Sequence, residues 1–343
     1  MNRSGTGWPR LVSLATFLAL ALGAHPRAEA SLPQASYQDA SATTTKPPAA
    51  FVFTPAPGKA SVALPREERL VYQVGIDLTL WEAGVGKVTQ TCTVAEQPVS
   101  LMLAGAVASG GEAASILLEA KGKYLGYELE SSLETRLLPQ EWPRILYQQR
   151  TESRRGERRR EVMLGTRDGK PTSSYRGDTS KGAPPGTRIW RAERLRAVPE
   201  GTLDMLTAIF MARTLIRENH AELKFPLIDA DRLWLLRLAR GKEQRMKTGA
   251  GTFDVVQVVL EPQAYPGEAV DEDKEKRFSG VFGIQGSIHL WVEKKTGVAV
   301  RIQGTLPVGG EDGLIKIGID VLLDGYSGTP PDFAPLPPPA KKR

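Results

Sequence analysis

The densest run of side chains suited to chemistry is Arg154, Arg155, Arg158, Arg159 and Arg160, interleaved with Glu157 and Glu161 around Gly156. A guanidinium is planar, permanently charged and forked, so it meets carboxylate or phosphate oxygens two at a time. At a hairpin tip this run would suit anionic lipid headgroups or an acidic polysaccharide. An ordinary solvated turn explains it too, because the two glutamates partly neutralise it. Flat rings form the second set. Trp81, Trp190, Trp234 and Trp291 are candidate ligand-binding residues, since carbohydrate and lipid sites use aromatic faces, although packing in a core is the commoner use of the residue.

No catalytic constellation assembles from the remaining residues. Beyond the first 30 positions the histidines are His220 and His289, and Cys92 is the one cysteine of the chain. A zinc site of His and Cys ligands is excluded by supply, and a Ser-His-Asp triad needs a positioned histidine. His289 alternates with Ile288, Leu290 and Val292, which puts it on the solvated face. His220 lies between Glu218 and Glu222 near a helix end, where positive charge is favourable. Gly84-Val85-Gly86-Lys87 lacks the earlier glycine of a phosphate loop, Trp81 standing in its place. Gly280, Gly283 and Gly286 miss the dinucleotide spacing and are read as bending a strand. Asp229, Asp231 and the Asp271 to Asp273 cluster lack the spacing of a calcium hand. Glu128, Glu130 and Glu134 share one strand face and are the only carboxylates to name for a glycan hydrolase. No catalytic residue, metal or cofactor is assigned.

The elements that must position these residues are mostly strands. Leu70, Tyr72, Val74, Ile76, Leu78 and Leu80 alternate with polar residues, and Glu82 to Gly86 is read as the turn to a strand carrying Val88, Cys92 and Val94. The same period recurs at Tyr127, Leu129, Leu133 and Leu137, at Phe253, Val255 and Val259, and at Ile288, Leu290 and Val292. After a turn over Lys294 to Gly297 it continues at Val298, Val300 and Ile302, and then from Ile315 to Leu323. One segment departs from it. Thr202 is read as the cap of a helix over about 202–218, whose apolar residues Leu203, Leu206, Ile209, Phe210, Ala212 and Ile216 recur at three- and four-residue spacing. Met205, Met211 and Leu215 widen that stripe, and Pro226 marks the break before strands resume. The expected fold is mainly β (α+β): a large curved antiparallel sheet, or partly open β-barrel, packed around this one helix.

The flanks differ from the middle. Arg3 and Arg10 precede an apolar run from Leu11 to Gly23, too short to span a bilayer, and Ala28-Glu29-Ala30 supplies small residues for a cut between Ala30 and Ser31. Residues 1–30 therefore read as a signal peptide and the protein as periplasmic. Residues 31–62 read as a disordered leader rich in Pro, Ala, Ser and Thr, 63–326 as a single β-rich domain, and 327–343 as a Pro-rich basic tail. The chain carries a formal charge of +6, yet residues 63–340 balance, so the folded part lacks the positive excess of a nucleic-acid binder. With a single cysteine, no intramolecular disulfide forms and the core must supply the stability.

Leu70-Val71-Tyr72-Gln73-Val74 with Gly84 and Gly86, the helix from Leu203 to Arg213, Gly251-Thr252-Phe253-Asp254-Val255 and Leu290-Trp291-Val292 together resemble an exported bacterial family catalogued as a domain of unknown function, number 3108. The resemblance covers roughly residues 65–325. It departs after the tryptophan strand: the family shows Asp and then Arg-x-Pro, whereas this chain has Glu293-Lys294-Lys295-Thr296-Gly297. The resemblance implies a periplasmic, mainly antiparallel β protein, similar in general form to half-barrel carriers of lipoproteins, with no established activity. The expected function is non-enzymatic binding of an apolar or amphiphilic ligand, or of an envelope partner, in the concavity of the sheet. The candidate partners are lipid, polysaccharide or an envelope protein, with no nucleic acid and no transmembrane span after signal cleavage. The alternatives are an envelope-assembly scaffold acting through its termini and a carboxylate-dependent glycan hydrolase.

Overall fold

The computed structural model describes residues 51–53, 60–77, 82–95, 99–103, 106–110, 113–124, 127–138, 144–153, 156–184, 186–268, 278, 280, 283–308 and 315–328. The predicted signal peptide lies outside them. Strands β1 (Phe51–Phe53) and β2 (Val62–Leu64) pair with each other, as do β5 (Val99–Leu103) and β6 (Ala106–Gly110). The main sheet has 15 strands. Its first half in sequence comprises β3 (Glu67–Asp77), β4 (Glu82–Ala95), β7 (Ala113–Tyr124), β8 (Tyr127–Leu138), β9 (Arg144–Ser153), β10 (Gly156–Arg167), β11 (Lys170–Thr179), β12 (Ile189–Trp190) and β13 (Arg194–Ala197). After the helix α1 (Met205–Arg217) come β14 (Glu222–Asp229), β15 (Arg232–Thr248), β16 (Gly251–Ala264), β17 (Gln285–Glu293), β18 (Ala299–Val308) and β19 (Ile315–Gly328).

The spatial order is β12-β11-β10-β9-β8-β7-β4-β3-β19-β18-β17-β16-β15-β14, with β13 also on the outer side of β11. Neighbours are antiparallel, and the long-range closure is β3 against β19, Val74 opposite Val321. This is the expected curved, open antiparallel sheet around one helix. Period-two alternation places Leu70, Tyr72, Val88, Cys92, Leu133, Leu137, Ile288, Leu290, Val292, Val300, Val321 and Leu323 in one buried cluster with the helix.

The helix is buried on nearly its whole circumference, since 11 of its 13 residues are inaccessible. It packs against β2 and against β8, β14, β15 and β17, the last four drawn from both halves of the main sheet. Its start is set by Asp204 rather than Thr202. The Asp204 carboxylate accepts from the N–H groups of Leu206 and Thr207 at 2.9 and 3.2 Å, while the Thr202 hydroxyl is spent on the Pro199 carbonyl at 2.7 Å. Its end is a left-handed cap: Asn219 has φ +53°, its N–H reaches Ile216 O, and the His220 N–H reaches Leu215 O.

Four further expectations change. Glu82 to Gly86 is strand and not turn, Asp77 pairing with Glu82 and Val74 with Gly86. Gly86 serves close approach, for a Cβ there would stand 2.5 Å from the Lys121 carbonyl oxygen. Pro226 lies within β14 instead of ahead of it. Because β14 is an edge strand, the missing N–H falls on the side away from β15, where the Pro226 carbonyl accepts from Leu203 N at 3.0 Å. In β16 the fully buried residues are Val255, Val256, Val258 and Leu260, whereas Phe253 and Val259 are half-buried. Finally, the predicted leader contributes β1, and β2 begins at Val62, so folded structure starts before residue 63; β19 likewise runs on to Gly328.

The two edges of the open sheet are joined by side chains. Arg160 of β10 lies 3.7 Å from Asp229 of β14, and Arg194 of β13 lies 2.5 Å from Asp231 in the β14–β15 turn. Arg196 donates to the Asp231 carbonyl at 2.7 Å and also pairs with Glu268, just beyond β16.

Candidate binding site: an arginine-lined cleft

The arginine run lies on the β9–β10 hairpin, as the sequence predicts, with Ser153 opposite Gly156. Arg154 and Arg155 lie outside the described residues. Arg158, Arg159 and Arg160 are in strand β10 and line a cleft of about 1040 Å³ together with Arg188, Arg191 and Arg194. The last three come from the segment running from just before β12 into β13, which folds back along β11. That geometry follows from local pairing: Trp190 is opposite Asp178, Arg191 N donates to Gly177 O, and Arg194 is opposite Tyr175.

Carboxylates hold four of the six guanidinium groups. Asp178 meets Arg188 at 2.9 Å and Arg159 at 3.7 Å, Glu157 meets Arg159 at 3.5 Å, and Asp229 and Asp231 take Arg160 and Arg194. Burial works against ionisation of Asp178, but its hydrogen bonds from Arg188 and Arg159 outweigh that and hold its pKa below the usual carboxylate range. Arg158 and Arg191 are exposed and have no ion pair among the described residues. Six guanidinium groups against Asp178, Glu157, Asp229 and Asp231 leave a local excess of two positive charges.

The candidate tryptophans divide. Trp190 stands beside this cleft, with the guanidinium carbons of Arg159 and Arg176 at 5.1 and 4.7 Å from its ring centroid. These cation–π contacts help to orient Arg159. Trp291 is buried under Arg301, and Trp234 packs edge-on to Phe278 with centroids 5.5 Å apart, so these two serve the core. Trp81 lies outside the described residues. Arg188, Arg191 and Arg194 were not singled out from the sequence, although the run Arg188-Ile189-Trp190-Arg191-Ala192-Glu193-Arg194, with an arginine at every third position, was a visible second basic segment. Only strand pairing shows that the two segments share one cleft.

The concavity of the sheet holds the helix. Beneath it, the space between Tyr72, Gln90, Phe210, Arg213, Leu290 and Ala299 amounts to about 10 Å³, room for one water at most. Arg213 and Glu68 form an ion pair there at 2.6 Å, both side chains sealed from solvent. Burial pushes the Tyr72 hydroxyl and the Cys92 thiol up, with Glu68 adding to both, so neither group ionises near neutrality. Of the glutamates named for hydrolysis, Glu130 pairs with Lys121 at 3.1 Å and Glu134 with Arg136 at 2.7 Å. The Glu128 side chain is outside the described residues. His289 meets Gln257 at 3.2 Å and His220 meets Glu218 at 2.9 Å. Among the described residues no cluster of His, Cys, Asp and Glu is arranged to hold a metal, and no helix is long and apolar enough to cross a membrane.

The fold and the cleft define an open antiparallel β-barrel-like protein wrapped around a central helix, with a cationic site at its edge. The model of the family described as Protein of unknown function (DUF3108) matches residues 127–316, more than half of the chain, and the protein belongs to that family. Its fold is also similar, at TM-score 0.43 and 13% identity, to the crystal structure of a β-barrel-like protein of domain of unknown function DUF1849 from Brucella abortus; the match covers 77% of this chain and 98% of that one. No curated protein matches the sequence.

Proposed function

We propose that the protein is an exported, periplasmic binding protein without catalysis of its own, and that it holds an anionic ligand in the arginine cleft. The observation that carries this reading is the convergence of six guanidinium groups on about 1040 Å³ of open space. That volume is at the upper end for small-ligand sites. The space described beneath α1 is far smaller, about 10 Å³, which favours the cleft over an apolar ligand inside the sheet. A binding role is also in keeping with the chemistry of the walls: the cleft is lined by neither histidine nor cysteine, and its one carboxylate, Asp178, is engaged by two arginines.

Calorimetric titration with polyanions checks the reading. Binding is expected at low ionic strength, weakening with added salt, and the double variant Arg158→Glu/Arg191→Glu is expected to lose at least about tenfold in affinity, the equivalent of about 1.4 kcal/mol. Unchanged binding by a folded double variant refutes the cleft as the site. Asp178→Asn tests the charge balance from the other side: it removes a like-charge repulsion on a bound anion that is worth about 1 kcal/mol at about 4 Å in a watery setting, so affinity rises about fivefold. Export is tested by the intact mass of the protein recovered from the envelope, which should begin at Ser31; a cytoplasmic chain retaining Met1 rejects it.

A further inference from the structure

We infer that the anion taken by the cleft is a stretch of acidic polysaccharide, a hydroxyl-rich chain bearing carboxylates, and not a lipid headgroup at a membrane surface; this rests on the anion-binding reading above. The walls decide between the two. Besides the arginines, the cleft is lined by Ser131, Gln149, Thr151, Thr179 and Ser180, while its only aliphatic side chain is that of Ala192. An amphiphile gains its affinity by removing acyl carbons from water, and here the apolar surface is confined to the Tyr175 ring, Ala192 and the arginine stems, with no larger aliphatic side chain to pack on an acyl chain. Hydroxyl and amide groups both donate and accept, which suits a ligand whose own hydroxyls do the same.

The arginines supply the complementary half. Arg158 and Arg191, exposed and without ion pairs among the described residues, are the groups for carboxylates. They reach the cleft from separate segments, β10 and the β12–β13 connection. A ligand meeting both must extend across the cleft, and a repeating acidic chain does this without requiring any one fixed anion spacing. The Trp190 ring, in cation–π contact with Arg159 and Arg176, helps keep a third guanidinium oriented in the same wall and makes tryptophan emission a reporter of occupancy.

The test titrates the full mature chain with four probes: an oligogalacturonate, neutral dextran, inorganic polyphosphate, and vesicles of phosphatidylglycerol. Expected are saturable binding of oligogalacturonate with a change in tryptophan emission, no binding of dextran, and loss of at least about tenfold in Arg158→Glu/Arg191→Glu. Gln149→Leu removes a polar group without removing charge; it should weaken oligogalacturonate by about three- to tenfold, one hydrogen bond's worth, and leave polyphosphate unchanged. If polyphosphate or vesicles bind through the same arginines and oligogalacturonate does not, the polysaccharide inference falls while the anion reading stands. If none of the charged probes binds, both fall. Binding of oligogalacturonate that survives Arg158→Glu/Arg191→Glu in a folded protein also overturns the inference.

Discussion

A guanidinium at 5% exposure and a carboxylate at 0% form the Arg213–Glu68 pair, which lies 2.6 Å apart at the centre of an apolar cluster. Burial works against the charge of Arg213, but Glu68 outweighs it and raises the arginine's pKa above its ordinary value. Taking away one partner strands the other charge in the core, so Glu68→Gln should cost about 3–5 kcal/mol, seen as a lowered midpoint in urea. Replacing both residues by Met should restore much of that loss. If Glu68→Gln proves neutral, the pair is not buried as described. Asp204 gives a pH-dependent counterpart. Burial raises its pKa, and hydrogen bonds from Thr207, Thr135 and Leu206 offset only part of the rise. The native state thus holds this proton more tightly than the unfolded chain does. Its contribution to stability is complete below the unfolded pKa near 3.9 and disappears as pH climbs through the raised folded value. Asn keeps the capping oxygen without the charge, so Asp204→Asn and Asp204→Ala should both flatten this component of the stability–pH profile, with Asp204→Ala about 1–2 kcal/mol less stable than Asp204→Asn for the lost cap.

At the level of elements, glycine separates two roles that look alike in sequence. Gly84 and Gly86 both lie in β4 beside a bulge, yet a Cβ on Gly84 meets nothing within 4 Å while one on Gly86 collides with the Lys121 carbonyl oxygen and lies 2.9 Å from Gly122 Cα. Gly86→Ala should therefore push β4 from β7 and cost about 1–3 kcal/mol, and Gly84→Ala should stay within about 0.5 kcal/mol of the parent; equal effects in chemical denaturation would reject the close-approach account. The strand periods from Leu70 to Leu323 and the helical stripe after Leu203 were legible because each depends only on neighbours in the chain. The turn read at Glu82 to Gly86 and the break read at Pro226 were misread for one reason. Gly and Pro mark turns by default, but both are also tolerated in strands where another backbone comes close or where an edge faces outward.

Across the whole molecule, the contacts between the two edge regions of the open sheet include, among the described residues, the arginine pairs Arg160 with Asp229, Arg194 with Asp231 and Arg196 with Glu268, and the bond from Arg196 to the Asp231 carbonyl. Side-chain contacts of this kind are weaker and more salt-sensitive than a backbone ladder. Hydrogen exchange should therefore find β13 and β14 opening with lower free energy than β3 and β4, and Arg194→Ala/Arg196→Ala should speed exchange in those edge strands by about tenfold while leaving Leu70 to Ile76 protected. Uniform exchange across the sheet would show that the edges are as tightly held as its middle.

The sequence by itself determined the strand and helix periods, the core residues, the scarcity of catalytic and metal-binding side chains and the existence of a basic hairpin, since these are properties of residue type and local spacing. Tertiary structure decided that Arg158, Arg159 and Arg160 share a cleft with Arg188, Arg191 and Arg194, that Trp190 lies against two arginines while Trp234 and Trp291 are packed, and that the helix is buried against the sheet. Those facts depend on which strands become neighbours across long stretches of chain. Such pairing is fixed by burial of the whole apolar surface and leaves no mark at any fixed spacing in the sequence.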